Sequence, residues 1–163
     1  MNKNEFIEIM KKAQAPLKGM VEMIPDDKLD WAPGEGFMKM GQVIKHLSEN
    51  WCIVRMMVTN DWPFSDMEEL GDAMKLENLP SCTKSEAIAA MEKDLNDAVA
   101  YIQNDLSEEV FFEKTVSAPW GFDGEIWKGV LMAKEHQVSH RMQLHIYLKQ
   151  LGLPVHTGTL YGM

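Results

Sequence analysis

The chain has 163 residues, 45% of them hydrophobic, and its 16 Lys and Arg against 25 Asp and Glu give a formal charge of −9. A chain this long buries a core without disulfides or a structural metal, and most simply forms one domain over 1–163. The acidic balance, with no basic cluster interleaved with aromatics, argues against a nucleic-acid partner, and no apolar run is long enough to cross a bilayer.

The opening Met1-Asn2-Lys3-Asn4-Glu5 lacks a signal-peptide pattern, so the expected setting is cytoplasmic, with no membrane partner. The first predicted helix covers residues 4–24, where Phe6, Ile9, Met10, Ala13, Leu17, Met20, Val21 and Ile24 recur at helical spacing. Pro16 lies inside it and predicts a kink or a break. A second helix is predicted over 39–60, ending before Asp61-Trp62-Pro63. A third runs over 83–105 and opens on Thr83-Lys84-Ser85-Glu86, a capping box in which threonine and glutamate satisfy each other's free amides. The fourth covers 124–151 and stops at Gly152, with Pro154 soon after.

No strand pattern stands out. The links 25–38, 61–82 and 106–123 are longer than simple antiparallel neighbours need, which implies at least one crossover. The link 61–82 is long enough to run the length of a bundle and make helices two and three parallel, with a short helix over 66–75 on the way. Its acidic residues fit no calcium loop and read as a solvated surface. Cys52 and Cys82 match no metal or redox spacing and read as reduced core or boundary thiols, and the 14 methionines read as core packing.

The chemistry lies in the histidines. His136 and His140 are four residues apart on the fourth helix, about 40° apart on one face, so both reach a single ion. Gly129, Met132, Gln143 and Tyr147 share that stripe, which suggests that the rings enter the core, where unpartnered imidazoles are costly. His46 on the second helix is the best placed third donor. Two polar residues satisfied by water remain the bland alternative. His145 falls about 180° away on the wheel and reads as a surface residue, and His156 lies in the tail.

Three imidazoles on one divalent ion leave positions open for water or substrate, the pattern of a catalytic centre. Glu49 is then a carboxylate supporting a ligand, an outer base, or a bundle-edge residue. Arg141, at the edge of the stripe, would grip a substrate carboxylate or, slightly favoured, pair with an acidic neighbour. Trp31 and Trp120 are candidates for the pocket mouth, though buried packing is the commoner fate of tryptophan. Gln137 stands where a zincin helix carries its glutamate, and no histidine follows a glutamate by three residues as a di-iron bundle requires. A mononuclear site is what remains.

The segment Glu135-His136-Gln137-Val138-Ser139-His140-Arg141-Met142-Gln143, followed by Tyr147-Leu148-Lys149-Gln150-Leu151-Gly152, resembles the C-terminal signature of the DinB/YfiT-like superfamily. Gly41-Gln42-Val43-Ile44-Lys45-His46-Leu47 resembles its second-helix motif, and Leu29-Asp30-Trp31-Ala32-Pro33 the tryptophan turn ahead of it. The resemblance implies an all-α four-helix bundle with an up-down-down-up course, its long crossover lying between helices two and three. It also implies one divalent ion, nickel or zinc, on His46, His136 and His140, and commonly a homodimer. Relatives with known activity include thiol-dependent S-transferases and an isomerase. The leading expectation is therefore a transferase adding a small thiol to an electrophile, with Arg141 or Gln143 orienting a partner and Glu49, by its spacing from His46, as a further candidate site residue. A non-catalytic metal-binding or stress-response protein and a metal-dependent hydrolase are the alternatives. Met142 stands where glycine is frequent in that signature, and Lys39-Met40 replaces the usual small polar cap.

Overall fold

Helix α1 spans Lys3–Glu22 in the computed structural model, which describes residues 2–163. Asn2 and Glu5 form a capping box at its start, and its buried face carries Phe6, Met10, Ala13, Leu17, Met20 and Val21. Pro16 does not break it. The turn that the proline disturbs is held from two sides: Arg141 Nη1 donates to the Ala13 carbonyl at 3.0 Å, and Gly162 of the C-terminal tail lies over the proline ring.

The predicted second helix is two helices, α2 (Met40–Leu47) and α3 (Ile53–Thr59). Between them the amides of Trp51 and Cys52 donate to the two carboxylate oxygens of Asp94, at 2.6 and 2.8 Å. A side chain from another helix thus accepts from backbone donors at the start of α3. Asn60, in the left-handed conformation (φ 57°), ends α3. The crossover contains α4 (Met67–Ala73), capped by Asp66 and with no buried residue. Helix α5 (Lys84–Asn104) starts on the expected Thr83–Glu86 box. Then comes α6 (Glu108–Glu113), capped by Ser107.

Where no strand was expected, β1 (Thr115–Ser117) pairs antiparallel with β2 (Asp123–Glu125), Val116 opposite Gly124. Three-residue strands leave no room for the alternation that announces a strand in sequence. Helix α7 (Ile126–Gln150) follows, stopping before Gly152 at φ +76°, and α8 (Thr157–Tyr161) closes the fold.

Side-chain contacts fix the course of the bundle. Lys3 reaches the Ile102 and Leu106 carbonyls while Lys18 meets Glu92, so α1 and α5 are antiparallel. Phe6 packs on Trp127 and Ala13 meets Arg141, so α1 and α7 run together. Cys82 bonds to Gly41 and Trp51 to Asp94, which makes α2–α3 parallel to α5. The result is up, down, down, up, with the link through α4 as the crossover. Its end meets α2 closely at Gly41, where an added Cβ would lie 2.1 Å from Ser81 Oγ.

The apolar core is in two parts. One joins the first half of α1 to α3, α6 and the start of α7 through Phe6, Val54, Phe111 and Val130. The other joins the second half of α1 to α2, α5 and the end of α7 through Leu17, Ile44, Met91 and Leu148. A buried polar layer separates them, comprising Gln14, Asn50, Asp94, Gln137 and Arg141. Gln14 donates to the Met91 carbonyl at 2.6 Å and accepts from Trp51 Nε1 at 2.8 Å, tying α1 to α5 and to the α2–α3 break.

Burial is the largest influence on Asp94 and pushes its pKa from 3.8 up to about 6, against the two amides that favour the carboxylate. Folded protein therefore binds more protons than unfolded chain between those values, so this group's stabilising contribution, full below pH 3.8, is lost as pH rises through about 6. Asp94→Asn puts an NH2 group opposite one of the two amides and is expected to lower stability by about 1–3 kcal/mol at neutral pH. Urea melts should also show that the Asp94 slope with pH is gone in this variant. An unchanged midpoint would mean that the carboxylate does not hold the break.

Candidate metal centre

His46 lies in the last turn of α2, just before the Asp94-held break, and His136 and His140 lie one turn apart on α7. Because α2 and α7 are antiparallel neighbours, the three rings meet. The His46 and His136 Nε2 atoms are 2.9 Å apart, ring centroids are separated by 4.7–4.8 Å, and one ligand atom from each ring lies within 4.8 Å of the others. Each pair of rings is steeply inclined, at 67–76°.

The outer nitrogens explain which way the inner ones face. Asn50 Nδ2 donates to the Ala133 carbonyl at 3.2 Å, which leaves its Oδ1 to accept from His136 Nδ1 at 2.9 Å. Gln143 Nε2 donates to the Tyr147 hydroxyl at 3.0 Å, and that hydroxyl donates to the Met38 carbonyl at 3.1 Å. Gln143 Oε1 therefore accepts from His140 Nδ1 at 2.7 Å. Both rings of α7 thus carry their proton on Nδ1 and turn an Nε2 lone pair toward His46. A proton on His46 Nε2 lets that ring donate to His136 Nε2 across the 2.9 Å gap; a divalent ion would take that proton's place, and three imidazole donors fit one with sites to spare. Burial first, then the neighbouring imidazoles, lower the His136 pKa from 6.5 to about 4, and burial and His140 lower that of His46. Both stay neutral at physiological pH, the form that binds metal.

His46 and His136 face a cavity of about 650 Å³ whose far wall is the crossover segment. Glu49 lines it too, paired with Lys45 at 2.5 Å. Trp120 is at its rim, but Trp31 packs edge-on against Tyr147 away from it. Arg141 is not brought to the histidines. It points to the opposite side of α7, buried against α1, and its partner is the Ala13 carbonyl rather than a carboxylate. Gln143 reaches the site only through His140.

His145 is a correction: it is buried, with Nδ1 lacking a hydrogen-bond partner, not on the surface. The helical wheel placed it correctly opposite the other two, but α7 has protein on both sides. His156 caps α8, accepting from the Gly158 amide at 3.0 Å. Cys52 donates to the Glu49 carbonyl, and burial with Asp94 and Glu49 nearby pushes its thiol up to about 12, so it is not a thiolate. Burial raises Cys82 as well. Sequence reasoning gives no role to Asn50, and it places Tyr147 on the histidine stripe without showing that its hydroxyl supports Gln143. Asn50 lies four residues after His46, and Tyr147 four after Gln143, spacings that place each pair on one face.

Nickel titration calorimetry should find one site, abolished by His46→Ala, His136→Ala or His140→Ala. Asn50→Ala and Gln143→Ala should bind about 10–100-fold more weakly, because they release the orientation of a ligand. Arg141→Gln should leave nickel affinity as it is while lowering the melting temperature. Equal loss of affinity in the arginine variant would contradict this division of roles.

The sequence profile of the DinB family matches residues 1–161. No curated protein matches the chain. Among solved structures, a DinB-like protein of Bacillus cereus is similar with a TM-score of 0.74 at 15% identity, covering 96% of this chain and 98% of its own. A DinB-like protein of Bacillus subtilis, YjoA, gives 0.65 at 16% identity, over 93% of this chain and 96% of its own. YfiT of Bacillus subtilis, described as a probable metal-dependent hydrolase with an unusual four-helix bundle topology, gives 0.70 at 18% identity, over 93% and 88%. At these identities the likeness speaks for the fold alone. The profile match over nearly the whole length decides the family: the chain belongs to the DinB family.

Proposed function

We propose that the protein is a mononuclear metal-dependent enzyme that adds a small thiol to an electrophile. The observation that carries this reading is the convergence of three imidazoles, two of which, His46 and His136, face an open cavity. Imidazole donors suit nickel or zinc, and an ion with three neutral ligands supplies Lewis acidity enough to bring a thiol or a water to its deprotonated form near neutral pH. The chain's own residues do the rest. Asn50 and Gln143 hold His136 and His140 in register through their Nδ1 atoms. Amides orient the rings without adding negative charge, so the centre keeps its full electrophilic strength.

In the transfer, the thiol proton leaves to solvent through Glu49, a sulfur–carbon bond forms, and the leaving group departs with the electrons of its broken bond. Glu49 is exposed at the cavity and held by Lys45, a position that suits an outer base. A thiol also asks less of the site than water does, because its ordinary pKa is far lower. Arg141 serves this site as part of the frame, not as a substrate clamp.

Hydrolysis is the second reading, favoured by the description of YfiT. A homodimer also accords with the family likeness, and exposed Met142 and Ile146 on α7 offer it an apolar contact. Light scattering decides that point.

Nickel- or zinc-loaded protein should consume a small thiol in the presence of an activated electrophile. His136→Ala should slow this by about 100-fold or more, and Glu49→Gln should lower kcat more than it changes KM. Hydrolysis of the electrophile without thiol consumption would select the second reading. Neither reaction from a metal-replete protein would leave a metal-binding protein without catalysis.

A further inference from the structure

The cavity beside the histidines has a composition that the thiol chemistry alone does not require. Its volume, about 650 Å³, is that of a pocket for a drug-sized molecule rather than for a thiol and a two-carbon fragment. One side is α3 and α7, which contribute Ile53, Met56, Met132 and Ala133. The other is the crossover, which contributes Leu70, Met74 and Leu79. Phe64, Trp62 and Trp120 form a run of aromatic rings, with centroids 6.1 Å apart at 31° for the first pair and 4.9 Å apart at 80° for the second. Trp62 is held in orientation by Asn60, whose Oδ1 accepts from its Nε1 at 3.0 Å.

The polar side chains of the wall are already engaged with protein. Gln42 donates to the Leu76 and Leu79 carbonyls at 2.8 and 3.0 Å and accepts from the Lys39 amide, which fastens the crossover to α2. Asn50 is bound to His136 and Ala133, and Asn78 donates to the Asp72 carbonyl. Lys45 and Glu49 neutralise each other. A charged or hydroxyl-rich ligand entering this space would give up its water for few free partners. The chain's charge of −9 further disfavours anions at a distance. An apolar ring meets the opposite situation: flat aromatic faces and three methionines, whose flexible thioethers adapt to its outline.

We propose that the molecule held in this cavity, and presented to the histidines, is an uncharged hydrophobic compound carrying an aromatic ring, with the crossover segment as its specificity wall. The inference rests on the proposed reaction only in calling that compound the electrophile; the binding claim stands without it. Gln42 is then a positioning residue that acts through the wall it fastens.

The test is fluorescence titration of nickel-loaded protein with N-phenyl-1-naphthylamine, an uncharged aromatic probe. One saturable site is expected, weakened about tenfold by Trp120→Ala and by Met56→Lys. Both positions are partly exposed, so neither change should threaten folding, and an unchanged circular-dichroism melt checks this. Gln42→Ala should weaken the probe while nickel affinity stays unchanged. Absence of saturable binding, equal binding of a carboxylate-bearing analogue of the probe, or indifference to both wall variants would overturn the proposal. These outcomes are independent of turnover. A protein that binds the probe yet consumes no thiol loses the reaction and keeps the cavity, and one that consumes thiol with hydrophilic electrophiles alone keeps the reaction and loses the cavity.

Discussion

Everything near the site depends on the short segment, residues 48–52, where the second helix stops being a helix. The Asp94 carboxylate takes the Trp51 and Cys52 amides, and the broken backbone sends its side chains in different directions. Asn50 goes to His136 on α7, and Trp51 to Gln14 on α1, while the amides face α5. One interruption therefore ties all four long segments together at the level of the histidines. A regular helix could not do this, because successive residues about 100° apart leave backbone amides bound within the helix and unable to bind a carboxylate.

The buried polar layer has a structural consequence. Two apolar clusters, one on each side, supply most of the stabilising burial, while the layer between them fixes register, because most of its polar groups have a specific partner. A slip of α7 by one turn would still bury leucines but would strand Asn50, Tyr147 and Arg141. The geometry of three nitrogens from two helices needs that kind of registration, since hydrophobic packing alone tolerates small shifts. The layer is not fully paired: Gln137 Oε1 and Arg141 Nε, one turn apart on α7, have no protein partner.

Most of the frame was legible in the sequence. Apolar spacing marked α1, the histidine-bearing amphipathic stretch and its Gly152 stop marked α7, the Thr83–Glu86 box marked the start of α5, and the long link marked the crossover. The His136–His140 interval and the position of His46 were enough to foresee three rings coming together. What escaped was whatever a second element decides. The apolar pattern of residues 39–60 continues through the break, and the reason for the break sits on another helix, in Asp94. The hairpin is too short to show a period. His145 was misread because a wheel gives angles, not exposure, and α7 is packed on both sides by α1 and α2. The direction of Arg141 is the same lesson, since its target is a carbonyl beside a helical proline in α1.

The central claim is that His46, His136 and His140 share one divalent ion through nitrogen. X-ray absorption at the nickel or zinc edge of the loaded protein tests it without any assumption about turnover. The account predicts three imidazole nitrogens at about 2.0–2.1 Å with the remaining positions filled by oxygen. A sulfur scatterer at about 2.3 Å, pointing to Cys52 or Cys82, or fewer than three imidazoles on the ion, would contradict it.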